Sequence, residues 1–171
     1  MKLLRPVLRV LIGGLFVGHG TQKLFGWFGG HGLEGTAGFF ESLGLKPGKR
    51  TATAAGLAEA GGGVLLATGA ALPLAGAALT GTMTTAIRHV HAPKGPWSTD
   101  GGWEYNAVLI AATLAVVEDE CGVGWALAAA AAGAAGSFAI SQLAAREEQP
   151  ADEFDAVPFQ RAEEVREPAQ A

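Results

Sequence analysis

Long runs without a charged side chain constrain this sequence more than any other feature. Ala60–Ile87 carries no charge from end to end, and neither does Cys121–Ala145. Val10–Gln22 is a third run, Leu24–Leu33 continues it beyond Lys23, and Tyr105–Val117 is a shorter fourth. Most of these segments exceed ten residues, lack two-residue alternation and are rich in Ala and Leu, which selects helix over strand. Pro73 divides the longest run into two helices, because proline lacks an N–H and clashes with the preceding turn. The segments approach the roughly 20 apolar residues that cross about 30 Å of hydrocarbon, where only internally hydrogen-bonded backbone is tolerated.

The charges are unevenly distributed. The 171 residues carry a net charge of −4, but Ala144–Ala171 alone carries −5 and the rest of the chain +1. Ahead of Ala144 the formally charged residues are few and scattered. The body is too apolar for a disordered segment, and the chain lacks the clustered basic surface of a nucleic-acid binder. One cysteine, Cys121, forms no internal disulfide and no CxxC pair. The expected fold is all-α: an integral membrane bundle of four spans, with an Ala-rich fifth span as an option and a disordered acidic tail. The spans fall at about 6–28, 51–71, 74–92 and 102–118, with the fifth at 122–144. The transmembrane domain is 1–145 and the tail 146–171.

The basic Met1–Arg9 segment precedes an apolar run as in a secretory signal, but no A-x-A pattern follows Phe16, so a retained first span is expected. Lys2, Arg5 and Arg9 favour an N-terminus on the cytoplasmic side, although Lys46, Lys49, Arg50, Arg88 and Lys94 then oppose it. GTAGFFESLG in the loop 29–49 reads as a short interfacial helix with Phe39 and Phe40 toward lipid. Leu72–Leu74 reads as a tight hairpin. Trp97 and Trp103, in a turn-rich loop, suit the headgroup region. Small residues such as Gly14 and Gly18, or Gly76 and Thr80, have the four-residue spacing that lets helices approach closely.

Polar residues inside spans are costly and point to function. His19, Gln22 and Lys23 lie at i, i+3 and i+4, on one helix face. Glu59 sits near the middle of the second span and requires protonation or a pair with Lys23 or Arg88. Arg88 and His91 share a face of the third span at i, i+3, while His89 points elsewhere. Glu104 and Tyr105 enter the fourth. The plain alternatives are that Lys23 and Arg88 snorkel to headgroups, that His19 satisfies a carbonyl, and that a buried pair only fixes packing. The sharper reading is a polar intramembrane pocket, for binding or proton relay, formed by His19, Gln22, Lys23, Glu59, Arg88, His89, His91, Glu104 and Tyr105. Such groups hold protons and hydrogen-bond a quinone carbonyl. No H-x-x-H or H-x-x-x-H pair supports a metal, and no phosphate-binding loop or nucleophile elbow is present.

The blocks HGTQKLFGWFGGHGLEGTAGFF (His19–Phe40), AGLAEAGGGVLLATG (Ala55–Gly69), PLAG with Met83, Ala86, His89 and His91 downstream, and GPWSTDGGWEYN (Gly95–Asn106) resemble the DoxX family of small bacterial membrane proteins. They occur in order over about residues 5–117. The resemblance implies a four-span bundle in the bacterial cytoplasmic membrane. It also implies a redox-associated subunit or adaptor, some relatives acting on thiosulfate with quinone as acceptor and others linking sulfur metabolism to oxidative-stress defence. His19, Gln22, Lys23, Glu59, His89, Glu104 and Tyr105 are the positions shared with the family pattern. Glu118–Glu120, the Ala-rich 121–145 segment and the tail depart from it.

The functional expectation is therefore an accessory or adaptor subunit of a quinone-linked or sulfur-linked membrane redox assembly, rather than a stand-alone oxidoreductase. It implies a lipid bilayer around the chain, an oxidoreductase partner, no nucleic acid and a quinone as the candidate ligand; self-association is also allowed. A small proton-coupled transporter or channel is the alternative, and a purely structural assembly factor the third reading.

Overall fold

The computed structural model describes residues 4–147, and the acidic tail expected beyond Arg146 lies almost wholly outside them. Among the described residues the chain is helical without strands. Six helices follow one another: α1 (Leu4–Phe25), α2 (Gly32–Ser42), α3 (Gly48–Thr68), α4 (Leu72–Ala86), α5 (Glu104–Cys121) and α6 (Val123–Glu147). A π-helical turn, Ile87–His91, prolongs α4. Apart from α2, these helices run about 27–37 Å at 1.5 Å per residue, counting the π turn with α4.

The helix boundaries follow local chemistry. The turn between α3 and α4 lies at Gly69–Ala71, not at Leu72–Leu74: Gly69 and Ala71 both adopt left-handed backbone, with φ 79° and 47°. Pro73 then occupies the first turn of α4, where its missing N–H is harmless. Gly122, at φ 93°, ends α5 and turns the chain directly into α6.

Interlocked glycines join α1 to α3. A Cβ on Gly13 would lie 2.4 Å from the Gly63 carbonyl oxygen, and one on Gly20 would lie 2.4 Å from the Ala60 nitrogen. Gly56 and Gly63 face Leu24 and Gly13 in return. The backbones therefore touch along a seven-residue spacing. Gly14 and Gly18, the pair with four-residue spacing, face open space instead. Between α4 and α6 the equivalent contacts are Gly81 with Gly133 and Gly76 with Ala129. Phe16, Leu66, Leu79, Leu109 and Val117 fill the core among the helices.

The outer surface of the bundle is apolar. Leu11, Leu15, Leu57, Val64, Val108, Leu127 and Leu143 are all exposed. Only one described helix, Val123–Arg146 within α6, is both long enough and apolar enough to qualify as a membrane span by composition. It is the segment that the sequence offers only as an optional fifth span. The expected four-span set does not emerge by that criterion: α1 and α3 carry Arg9, Lys23 and Glu59, and α4 is only 15 residues long as regular α-helix. At one end of the bundle Arg5 pairs with Asp119 at 2.6 Å and Arg9 with Glu120 at 2.9 Å, tying the start of α1 to the end of α5. The opposite end carries α2 and the 92–103 loop.

Candidate functional site

A cavity of about 730 Å³ opens beside α4, between α3 and α6, and extends beneath α2 and the loop before α5. Its walls are small and apolar: Ala54, Ala55 and Ala58 of α3, Ala77, Ala78 and Gly81 of α4, and Ala132, Gly133 and Gly136 of α6. Six polar side chains expected to matter border it: His19, Lys23, Glu59, His89, His91 and Tyr105.

The α1–α3 wall is built by the glycine seam. Because Gly20 admits the α3 backbone, the last turn of α1 lies against α3. Lys23 leans back toward the helix start, as helical side chains do, and its Nζ donates to Glu59 Oε2 at 2.5 Å. Glu59 is 3% exposed and Lys23 26%, so the carboxylate is enclosed and the ammonium sits at the rim. One turn earlier, His19 Nδ1 donates to Gln22 Oε1 at 3.2 Å, and Gln22 Nε2 donates to the Phe28 carbonyl at 3.3 Å. Gln22 thus faces away from the large cavity. It borders a second, smaller chamber of about 330 Å³ with Gly29, Gly30, His31 and Thr36.

The π-helical turn governs the opposite wall. Its wider winding shifts the phase of residues 87–91, so the shared face expected for Arg88 and His91 does not form. Arg88 turns to α6. Its Nη1 donates to the Ser137 carbonyl, Ser137 Oγ and Ser141 Oγ, each at 3.2 Å, and its guanidinium lies 3.8 Å from the centre of the Phe138 ring. His89 Nε2 pairs with Ser141 Oγ at 2.9 Å, and His91 Nδ1 donates to the Gly101 carbonyl at 2.6 Å. His89 and His91 both border the cavity, although their hydrogen bonds run to different elements.

Glu104 does not reach the cavity. Its Oε1 accepts from the Ser98 backbone N–H at 2.8 Å and from Ser98 Oγ at 2.5 Å, closing the loop ahead of α5. Tyr105, next in sequence, does border the cavity. The structure therefore gathers six of the nine expected positions around one space, and Gln22, Arg88 and Glu104 serve its surroundings.

Sequence reasoning passed over two pairs of contributors. Ser137 and Ser141 on α6 hold Arg88 and His89, and Phe39 and Phe40 of α2 line both chambers instead of simply facing lipid. Two serines four residues apart in an otherwise apolar helix were the available signal for the first pair.

Chemically, the site combines an apolar slot, an ion pair with an enclosed carboxylate on one wall and imidazole and phenol groups on the other. It is suited to an apolar molecule with hydrogen-bonding atoms at separated positions. Neither the curated proteins nor the solved structures yield a match to this sequence. A family model described as DoxX matches residues 4–92, from the start of α1 through the π-helical turn, and leaves α5 and α6 outside it. The chain belongs to the DoxX family of membrane-associated proteins.

Proposed function

We propose that the chain is a multi-pass protein of the bacterial cytoplasmic membrane. It serves there as a non-catalytic subunit or adaptor of a redox assembly, and its cavity holds a lipophilic quinone. The observation that carries this reading is the cavity itself: apolar walls from three helices, with His19, Lys23 and Glu59 on one side and His89, His91 and Tyr105 on the other. Its volume, about 730 Å³, lies in the range of small-molecule sites. The donor set fits a ring with two carbonyl oxygens, each needing a hydrogen-bond partner in a dry setting. A bound quinone supplies two-electron redox capacity that these side chains lack.

The exposed leucines and valines on α1, α3, α5 and α6 support a bundle that is surrounded by lipid along its whole length. Tryptophans near both ends, Trp125 at the start of α6 and Trp27, Trp97 and Trp103 at the opposite end, support the same placement. With α6 counted, the reading has five spans, and the start of α1 and the end of α6 lie on opposite sides.

The test is purification of the tagged full chain in detergent from membranes, with identification of what accompanies it. Wild type is expected to bring down an oxidoreductase and to support quinone-linked activity. Glu59→Gln and His19→Ala are expected to insert normally and lose that activity. Normal activity in both variants overturns the reading.

A further inference from the structure

Three imidazoles border the large cavity, and in each of them one ring nitrogen is already committed to the protein. A neutral imidazole has one N–H and one lone pair, so the partner of the first nitrogen fixes what the second offers a ligand. The Gly101 carbonyl only accepts, so His91 carries its proton on Nδ1 and its Nε2 is left as an acceptor. His19 is fixed through an intermediary. The Phe28 carbonyl holds the Gln22 amide nitrogen, which turns Gln22 Oε1 toward His19 Nδ1 and places the proton there. His19 Nε2 is thereby an acceptor as well.

His89 is fixed by the serines of α6. Ser141 Oγ donates its one proton to the Ser137 carbonyl at 3.1 Å and accepts from Arg88 Nη1. His89 Nε2 therefore donates to Ser141 Oγ, and its Nδ1 keeps the lone pair. Among the described residues, none of these three second nitrogens has a hydrogen-bond partner. The carboxylate of Glu59 adds a fourth acceptor. The wall threonines Thr51, Thr82 and Thr85 donate to oxygens of the protein, and Asn106 turns its amide nitrogen to Met83 Sδ. The donors left for a ligand are the remaining N–H bonds of Lys23 and the hydroxyl of Tyr105, one on each side.

We propose that the cavity selects the reduced, dihydroxy form of a quinone-type ring over its oxidised, dicarbonyl form. This rests on the quinone reading and deepens it. Both forms fit the slot, but they differ in what they offer its walls. A carbonyl oxygen only accepts, and it finds partners at Lys23 and Tyr105. A hydroxyl accepts from the same two donors and also donates. A hydroquinone thus reaches an imidazole lone pair on either side, His19 on one and His89 or His91 on the other. With the dicarbonyl form bound, those lone pairs stay unpaired in an apolar slot, which is unfavourable. A site built around a ligand hydroxyl discriminates strongly against the analogue that lacks it.

The preference has an equilibrium consequence. Tighter binding of the reduced form raises the potential of the bound pair, by about 30 mV for each tenfold in a two-electron couple. Gln22 is a positioning residue here: it does not line the large cavity, yet it decides which His19 nitrogen bears the proton.

The experiment titrates the full chain in nanodiscs with decylubiquinol and, separately, decylubiquinone, without oxygen. The quinol is expected to bind about tenfold or more tightly than the quinone. Gln22→Met lets His19 carry its proton on Nε2, and is expected to lower that ratio by about threefold or more. Nitrogen NMR of the histidine-labelled chain reads the tautomers with no ligand present. It is expected to find Nδ1–H on His19 and His91 and Nε2–H on His89, with only His19 changing in Gln22→Met. Equal affinities, a tighter quinone, an unchanged ratio in Gln22→Met, or Nε2–H on His19 and His91 overturns the preference and leaves the quinone reading standing. Saturable binding of neither form overturns both.

Discussion

Lys23 on α1 and Glu59 on α3 are far apart in sequence, and their side chains meet at 2.5 Å at the edge of an apolar cavity. Removing one member leaves the other charge without compensation. Lys23→Ala is expected to cost about 3 kcal/mol or more of stability, as for other broken enclosed pairs. Lys23→Met combined with Glu59→Leu is expected to recover most of that loss, since both charges are gone. Thermal unfolding in detergent, followed by circular dichroism, measures both variants.

The glycine seam makes an asymmetric prediction within one helix. Gly20→Ala drives a methyl group into the α3 backbone and is expected to cost about 1–3 kcal/mol through overpacking. Gly14→Ala meets open space and is expected to be neutral or stabilising by up to about 1 kcal/mol from helix propensity. Melting temperatures of the two variants should therefore diverge. Equal losses would contradict the α1–α3 packing.

On the far wall, Arg88 has three oxygen acceptors, all on α6. Ser137 is 1% exposed, and Ser137→Ala deprives both Arg88 and Thr85 of a partner. The expected cost is about 1–3 kcal/mol, the range for hydrogen bonds lost to a charged or buried group. Limited proteolysis should detect α6 loosening from the bundle before the other helices do.

The apolar exterior predicts sensitivity to charge where a soluble protein would tolerate it. In the proposed membrane placement, Leu127→Asp on the exposed face of α6 puts a carboxylate in the hydrocarbon, at a cost of about 2.5–3.5 kcal/mol on insertion scales. Recovery of the chain from carbonate-washed membranes should fall accordingly. Glu118→Asp, beside the end-cap pairs and exposed, is expected to have no effect.

The helical class and the polar residues were legible in the sequence because both depend on local pattern. Charge-free runs locate helices, and an ionisable residue within such a run stands out whatever its neighbours. Which of these residues converge was less legible. The phase of Arg88, His89 and His91 depends on a π-helical turn with no local signature, so counting at 3.6 residues per turn assigned Arg88 and His91 to a face they do not share. The helix-contact glycines were only partly legible for a related reason: Gly76 with Thr80 does pack on α6, but Gly14 and Gly18 face open space, and the α1–α3 contacts use spacing of seven instead. Phe39 and Phe40 read as lipid-facing because their second role, bordering two chambers, exists only once α2 has folded back over α1 and α3.

The most direct test of the central claim is equilibrium binding of decylubiquinone to the full chain in nanodiscs. Gly136 borders the cavity and a side chain there begins in open space, so Gly136→Phe fills the slot without a backbone clash. Wild type is expected to bind saturably at one site, and Gly136→Phe to bind at least about tenfold more weakly, a loss of about 1.4 kcal/mol or more. Identical, non-saturating uptake by both proteins would mean that the quinone only dissolves in the lipid, and would contradict the account.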